Sequence, residues 1–102
     1  MEEEIIKYME KQAPREGCGI IADGVWIPCT NDSEELDEFV INKKQYIQIM
    51  LLHKNIEAIV HSHVNQKELK LSDHDVTACK SLNIPYWVVG IPQKEIIKWI
   101  EK

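Results

Sequence analysis

Short runs of β-branched and aromatic residues constrain the fold of this chain most strongly. The run IEAIVH, at 56–61, predicts a buried strand, and the run YWVVGI, at 86–91, predicts a further strand. Two further runs, GCGIIA and VWIPC, flank the turn signal Asp23-Gly24, and this arrangement predicts a β-hairpin. A shorter strand is expected at 38–41, after a polar and acidic loop.

Amphipathic stretches alternate with these runs. Their apolar residues recur with helical spacing among charges, which predicts helices at 2–12, 43–53 and 72–82. Asn83 and Pro85 are expected to close the third helix, and Pro14 to follow the first. The C-terminal segment KEIIKWIEK fits a strand and a helix about equally. This order of elements indicates a layered α/β or α+β domain.

Size and composition restrict the class of protein. A chain of 102 residues suits one domain, 1–102, and a 44% share of hydrophobic residues is enough for a core. The net charge of -5 argues against nucleic-acid and anionic-membrane partners, which require a basic face. No apolar run approaches the ~20 residues of a membrane span, and the acidic N-terminus is unlike a signal peptide. A cytoplasmic protein is therefore expected.

The three cysteines contain no CxxC pair, which argues against a zinc ribbon or a thioredoxin-type site. We expect them to be small buried hydrophobic residues in a reducing compartment.

A histidine pair at the end of a predicted strand is the clearest chemical signal. Side chains two residues apart on a strand share a face, so His61 and His63 can direct both imidazoles at one point. Catalytic zinc usually has three protein ligands and an open fourth position. Among nearby candidates for the third ligand, Asp75 is favoured, because a helix beginning at Ser72 would turn it towards the strand end. Ser72 and Asp75 also fit a helix capping box, which requires no metal.

A metal hydrolase also needs a group that takes a proton from the attacking water and delivers it to the leaving amine. Most of the acidic residues are expected to be solvated surface charges. Glu16 differs, because it lies in PREGCGII at the entrance to a predicted buried strand.

Together, Glu16-Gly17-Cys18-Gly19, His61-Ser62-His63 and the segment SDHD at 72–75 resemble the signature of the JAMM (MPN+) metalloproteases, and the resemblance extends across nearly the whole chain. It is closest to the prokaryotic branch, especially the JAMM domain of phage tail-assembly proteins. The resemblance implies an α/β fold with a cytidine-deaminase-like mixed sheet flanked by helices.

The resemblance also implies roles for individual residues. His61, His63 and Asp75 would bind Zn²⁺, Glu16 would be the general acid/base, and Ser72 would donate a hydrogen bond to the oxyanion. Two positions depart from the family pattern. Val64 stands where a proline usually follows the second histidine. The loop after the histidines is one residue longer than expected, so that counting the usual number of residues from His63 arrives at His74, an alternative ligand.

The implied activity is hydrolysis of a peptide or isopeptide amide. The substrate would be a phage structural protein or a ubiquitin-like conjugate, in the host cytoplasm or the virion. A role in cell-wall lysis would need a partner chain with a cell-wall peptidase. A non-catalytic MPN-type interaction module is the alternative. A nucleoside deaminase fits poorly, because its H-x-E and P-C-x-x-C blocks are missing from the sequence.

Overall fold

The computed structural model describes residues 1–100 as a five-stranded mixed sheet with three helices. The elements in chain order are α1 (Glu2–Gln12), β1 (Cys18–Ala22), β2 (Val25–Cys29), α2 (Lys43–Leu52), β3 (Ile56–Val64), α3 (Asp73–Leu82), β4 (Tyr86–Ile91) and β5 (Glu95–Trp99). The strand order is β2-β1-β3-β4-β5. Only β3 and β4 pair in parallel; the other neighbours are antiparallel. The α/β class is thus confirmed.

The helices cover both faces of the sheet. Ile5 and Met9 of α1 pack with Val60 and Val89 on one face. Ile49 of α2 and Cys79 of α3 pack with residues of the other face, among them Ile59. Because neighbouring residues of a strand point to opposite faces, His61 and His63 share the face of Ile59 and therefore point towards the α2 and α3 side.

The parallel pairing of β3 with β4 positions the third helix. Parallel neighbours require a crossover connection, and α3 lies within the one that joins these two strands. The helix begins after Ser72, its N-cap, and ends at Asn83, whose left-handed conformation (φ 54°, ψ 40°) ends the regular turn. This connection returns the N-terminus of α3 towards the end of β3, where the two histidines lie.

The predicted elements agree with the structure to within one residue, apart from the segment at 38–41 and the end of β3, and the structure decides the one segment that the sequence left open. Residues 38–41 do not form the predicted strand, since only an isolated bridge joins Asn31 and Ile41. β3 continues beyond the predicted end at His61 to Val64, so that both histidines lie within it. The ambiguous C-terminal segment is strand from Glu95 to Trp99; its residues 101 and 102 lie outside the described part of the chain.

The cysteines are packing residues, as predicted. Cys18, Cys29 and Cys79 are all buried free thiols. Burial raises the pKa of Cys18 to about 12 and that of Cys29 to about 11, so both stay protonated and unreactive near neutral pH. Within residues 1–100, none of the helices combines the length and the apolar character needed to cross a bilayer.

Candidate metal centre

The two histidines of β3 meet at the end of the strand. Their side chains are buried, and their Nε2 atoms lie 3.2 Å apart. Burial lowers the pKa of His61, which favours the neutral ring that a metal ion requires. The pair therefore directs two imidazole nitrogens at one point, as the spacing predicts.

Asp75 of α3 completes this cluster. Its Oδ2 atom lies 3.1 Å from Nε2 of His61 and 3.2 Å from Nε2 of His63. The same oxygen accepts the backbone N–H of Ser72 at 3.0 Å, while Oγ of Ser72 accepts the backbone N–H of Asp75 at 3.1 Å. The capping box and the approach to the histidines are therefore both present, and the cap holds the carboxylate in place.

These three atoms form a nearly equilateral triangle with edges of 3.1–3.2 Å. Ligands at 2.0–2.1 Å from a tetrahedral ion lie about 3.3 Å apart, so the triangle fits one face of such a site. Burial would raise the pKa of Asp75, but hydrogen bonds with His61 and His63 outweigh it and hold that pKa well below its usual range. An anionic oxygen and two imidazole lone pairs repel one another unless a proton or a cation lies between them.

A hydrogen bond to Gln66 orients the ring of His63. Nδ1 of His63 lies 3.0 Å from the side-chain oxygen Oε1 of Gln66, to which it donates. A proton held on Nδ1 leaves the Nε2 lone pair free, which is the usual arrangement of a metal-ligating histidine. Nδ1 of His61, in contrast, is buried and finds no hydrogen-bond partner among residues 1–100.

Glu16 lies beside the histidines because β1 pairs with β3. Cys18 is opposite His61, and the backbone N–H of Ser62 donates to the carbonyl of Gly17 at 3.0 Å, so the next step places Glu16 beside His63. Glu16, His61 and His63 form a buried group with ligand atoms within 4.8 Å of one another, close enough to bind a metal ion.

The pKa of the Glu16 carboxyl group lies near neutral pH. Burial raises its pKa to about 7; His63 acts in the opposite direction, and the nearby charge of Asp75 adds to the increase. A carboxyl group that gains and loses a proton near neutral pH suits general acid/base chemistry. A bound divalent cation would shift the balance towards the carboxylate, the form that accepts a proton.

A cavity of about 660 Å³ opens over this cluster. Its lining includes Glu16, His63, Ser72, His74 and Asp75. Ser72 is exposed, and although its Oγ accepts a hydrogen bond within the cap, its O–H can still donate into the cavity. His74, the alternative ligand, is exposed on the cavity wall, whereas Asp75 occupies the third corner of the triangle.

The loop at 30–42 forms one wall of the cavity, and sequence reasoning missed its role. Asp37, Glu38 and Phe39 line the cavity from this loop. The Phe39 ring stacks on the imidazole of His61, with centroids 4.4 Å apart and an interplanar angle of 19°. An isolated phenylalanine in a polar loop carries no sequence signal for such a contact.

Asn31 connects this loop to Glu16. Its side-chain amide donates to the carbonyl oxygens of Glu16 at 2.9 Å and Glu38 at 3.1 Å. Its Oδ1 accepts the backbone N–H groups of Ser33 and Val40, both at 2.9 Å. Both donors and both lone pairs of the amide are used, so Asn31 fixes the loop and the chain at Glu16 relative to each other.

The donor set limits the class of metal. Two imidazoles and a carboxylate suit zinc and several other transition metals better than Mg²⁺ or Ca²⁺, which prefer all-oxygen sites.

Comparison with the models of known protein families and with curated proteins found no match to this chain.

Proposed function

We propose that this protein is a zinc-dependent metallopeptidase of the JAMM type, with the sheet in the cytidine-deaminase-like arrangement of that family. The observation that carries the proposal is the triangle of His61, His63 and Asp75 with a buried carboxyl group, Glu16, beside it. The reaction is hydrolysis of an amide in a protein or peptide substrate.

The residues of the cavity have distinct roles in amide hydrolysis. A zinc ion held by His61, His63 and Asp75 would act as a Lewis acid and lower the pKa of a bound water to about 7. Glu16 accepts a proton as water adds to the carbonyl carbon, then delivers it to the amine nitrogen as the C–N bond breaks. The Ser72 O–H donates to the oxygen on which negative charge develops. The products are a carboxylate and an amine.

The larger cavity also bears on the substrate. A cavity of about 660 Å³ accommodates an extended peptide segment or the isopeptide linkage to a ubiquitin-like modifier. A phage structural protein processed during tail assembly, in the host cytoplasm or virion, is the favoured substrate. In this setting a partner chain would supply any cell-wall peptidase activity.

One observation favours a second candidate, a non-catalytic MPN-type interaction module. With a proton in place of a metal ion, Asp75 can pair with both histidines, and its cap on α3 requires no metal. The cluster would then be a buried polar element of the fold, and the protein would act only through its surface.

Metal analysis and one matched pair of variants separate these candidates. We expect the purified protein to contain about one zinc per chain and to cleave members of a mixed peptide library or a lysine-linked isopeptide, with fragments identified by mass spectrometry. Glu16→Gln should retain the zinc and lose about 10²- to 10⁴-fold in the cleavage rate, since the acid/base group is gone. Glu38→Gln is the control, because Glu38 also lines the cavity but is exposed.

Full activity of Glu16→Gln would remove Glu16 from the mechanism. A wild-type protein that cannot be loaded with zinc, and that cleaves none of these substrates, would establish the non-catalytic module instead.

A further inference from the structure

A second, smaller cavity adjoins the candidate metal centre. Its volume is about 260 Å³, and it shares two walls, Phe39 and His74, with the larger cavity. The other lining residues are mostly apolar or aromatic and come from separate elements of the α2 and α3 side: Ile41, Tyr46, Ile59, Leu82 and Tyr86.

Phe39 and Tyr86 place this cavity close to the reacting groups. One ring, Phe39, both stacks on His61 and lines the smaller cavity. The centroid of the Tyr86 ring lies 5.8 Å from that of the His61 ring and 6.4 Å from that of the Phe39 ring. The cavity therefore begins about one side chain away from the metal-binding cluster. A peptide lying in the larger cavity can direct a neighbouring side chain into the smaller one.

The lining determines the chemistry of the occupant. No lysine, arginine, aspartate or glutamate lines the cavity within the described part of the chain, so this lining fits an apolar side chain better than a charged one. A dry apolar cavity of about 150 Å³ is large enough for benzene, so 260 Å³ holds the side chain of phenylalanine, leucine or isoleucine.

We propose that the smaller cavity is a specificity subsite, which binds a large apolar side chain next to the scissile amide. This inference rests on the proposed peptidase function and adds a substrate class to it: peptides with an aromatic or branched aliphatic residue beside the cleaved bond. Complete burial of such a side chain corresponds to a preference of about 10- to 150-fold over glycine at that position.

A variant that fills the cavity tests the subsite. Leu82 lies at the end of α3, lines the cavity and is 44% exposed, so Leu82→Trp should fill the cavity without disturbing the core. Leu52→Trp is the matched control, because Leu52 is 78% exposed at the end of α2 and is not among the lining residues.

In a mixed peptide library, the wild type and Leu52→Trp should both enrich apolar residues at one position beside the cut. Leu82→Trp should lose most of this enrichment while cleaving glycine-flanked peptides within about twofold of the wild-type rate, since the reacting groups are unchanged. Equal enrichment in Leu82→Trp and the wild type, or cleavage by all three proteins without any enrichment, would overturn the subsite.

A binding experiment keeps this inference separate from the proposed function. N-acetyl-phenylalaninamide added to the wild-type protein should shift the NMR methyl signals of Ile41 and Leu82 more than those of Leu52, and N-acetyl-glycinamide should not. Cleavage without apolar enrichment and without these shifts overturns the subsite alone. Shifts in a protein that cleaves no peptide overturn the peptidase function and retain the cavity as an apolar side-chain site.

Discussion

Replacing Asp75 by asparagine tests the metal centre directly, because it removes the negative charge of one proposed ligand and keeps the shape of the side chain. The asparagine oxygen can still accept the N–H of Ser72, which the carboxylate accepts at 3.0 Å, so the cap on α3 is preserved. Asp73→Asn is the matched control, since Asp73 is exposed in the same first turn. Each change also weakens the interaction with the helix dipole, by about 0.3–1 kcal/mol.

The expected magnitude follows from coupling between binding and folding. Zinc that binds only the folded state adds about 2.7 kcal/mol to the free energy of unfolding when free zinc is about 100 times its Kd. At about 4–8 °C per kcal/mol for a domain of this size, wild-type Tm should rise by roughly 11–22 °C. If Asp75→Asn weakens binding about 100-fold, the gain falls to about 0.4 kcal/mol, or roughly 2–3 °C.

The assay is thermal unfolding followed by circular dichroism, on protein stripped by a chelator and then titrated with zinc. Asp73→Asn should show the full wild-type increase in Tm, from a slightly lower starting value. An increase in Asp75→Asn equal to that of Asp73→Asn would refute the assignment of Asp75 as a ligand. Zinc content after gel filtration gives an independent measure of the same loss.

Two further variants test groups that hold the site or act within it. Ser72→Gly should preserve zinc binding and lower the free energy of unfolding by only a few tenths of a kcal/mol, since glycine is a tolerated N-cap. It should nevertheless lower kcat about 10²- to 10³-fold, because the hydroxyl donor is lost. An unchanged kcat would exclude Ser72 from catalysis. Asn31→Asp should lower kcat more than it raises KM, with zinc content unchanged, because it removes the N–H donors to the carbonyl oxygens of Glu16 and Glu38 and so loosens Glu16 from the loop. Its control is Asn55→Asp, at an exposed asparagine just before β3. An equal effect of both asparagine changes on kcat would contradict a positioning role for Asn31.

Local sequence patterns predicted the secondary structure well wherever residues close to one another in the chain determine it. Helical spacing predicted the three helices, and Asp23-Gly24 predicted the hairpin turn, in which both residues have positive φ. The segment at 38–41 has the residues of a strand, yet in the described part of the chain it forms one isolated bridge, to Asn31, and the Asn31 side chain bonds its backbone at Glu38 and Val40 where a ladder would otherwise form. A strand needs paired neighbours, and their presence is not a local property.

The sequence by itself determined which groups at this site can carry chemistry: two histidines on one strand face, and a serine and an aspartate within one helical turn. The tertiary structure decided how they meet. Glu16 reaches His63 through the register of β1 with β3, and Phe39 reaches His61 through a loop fixed by Asn31. The physical reason is that strand pairing and loop packing join residues far apart in the chain, whereas periodicity and capping signals report only on residues a few positions away.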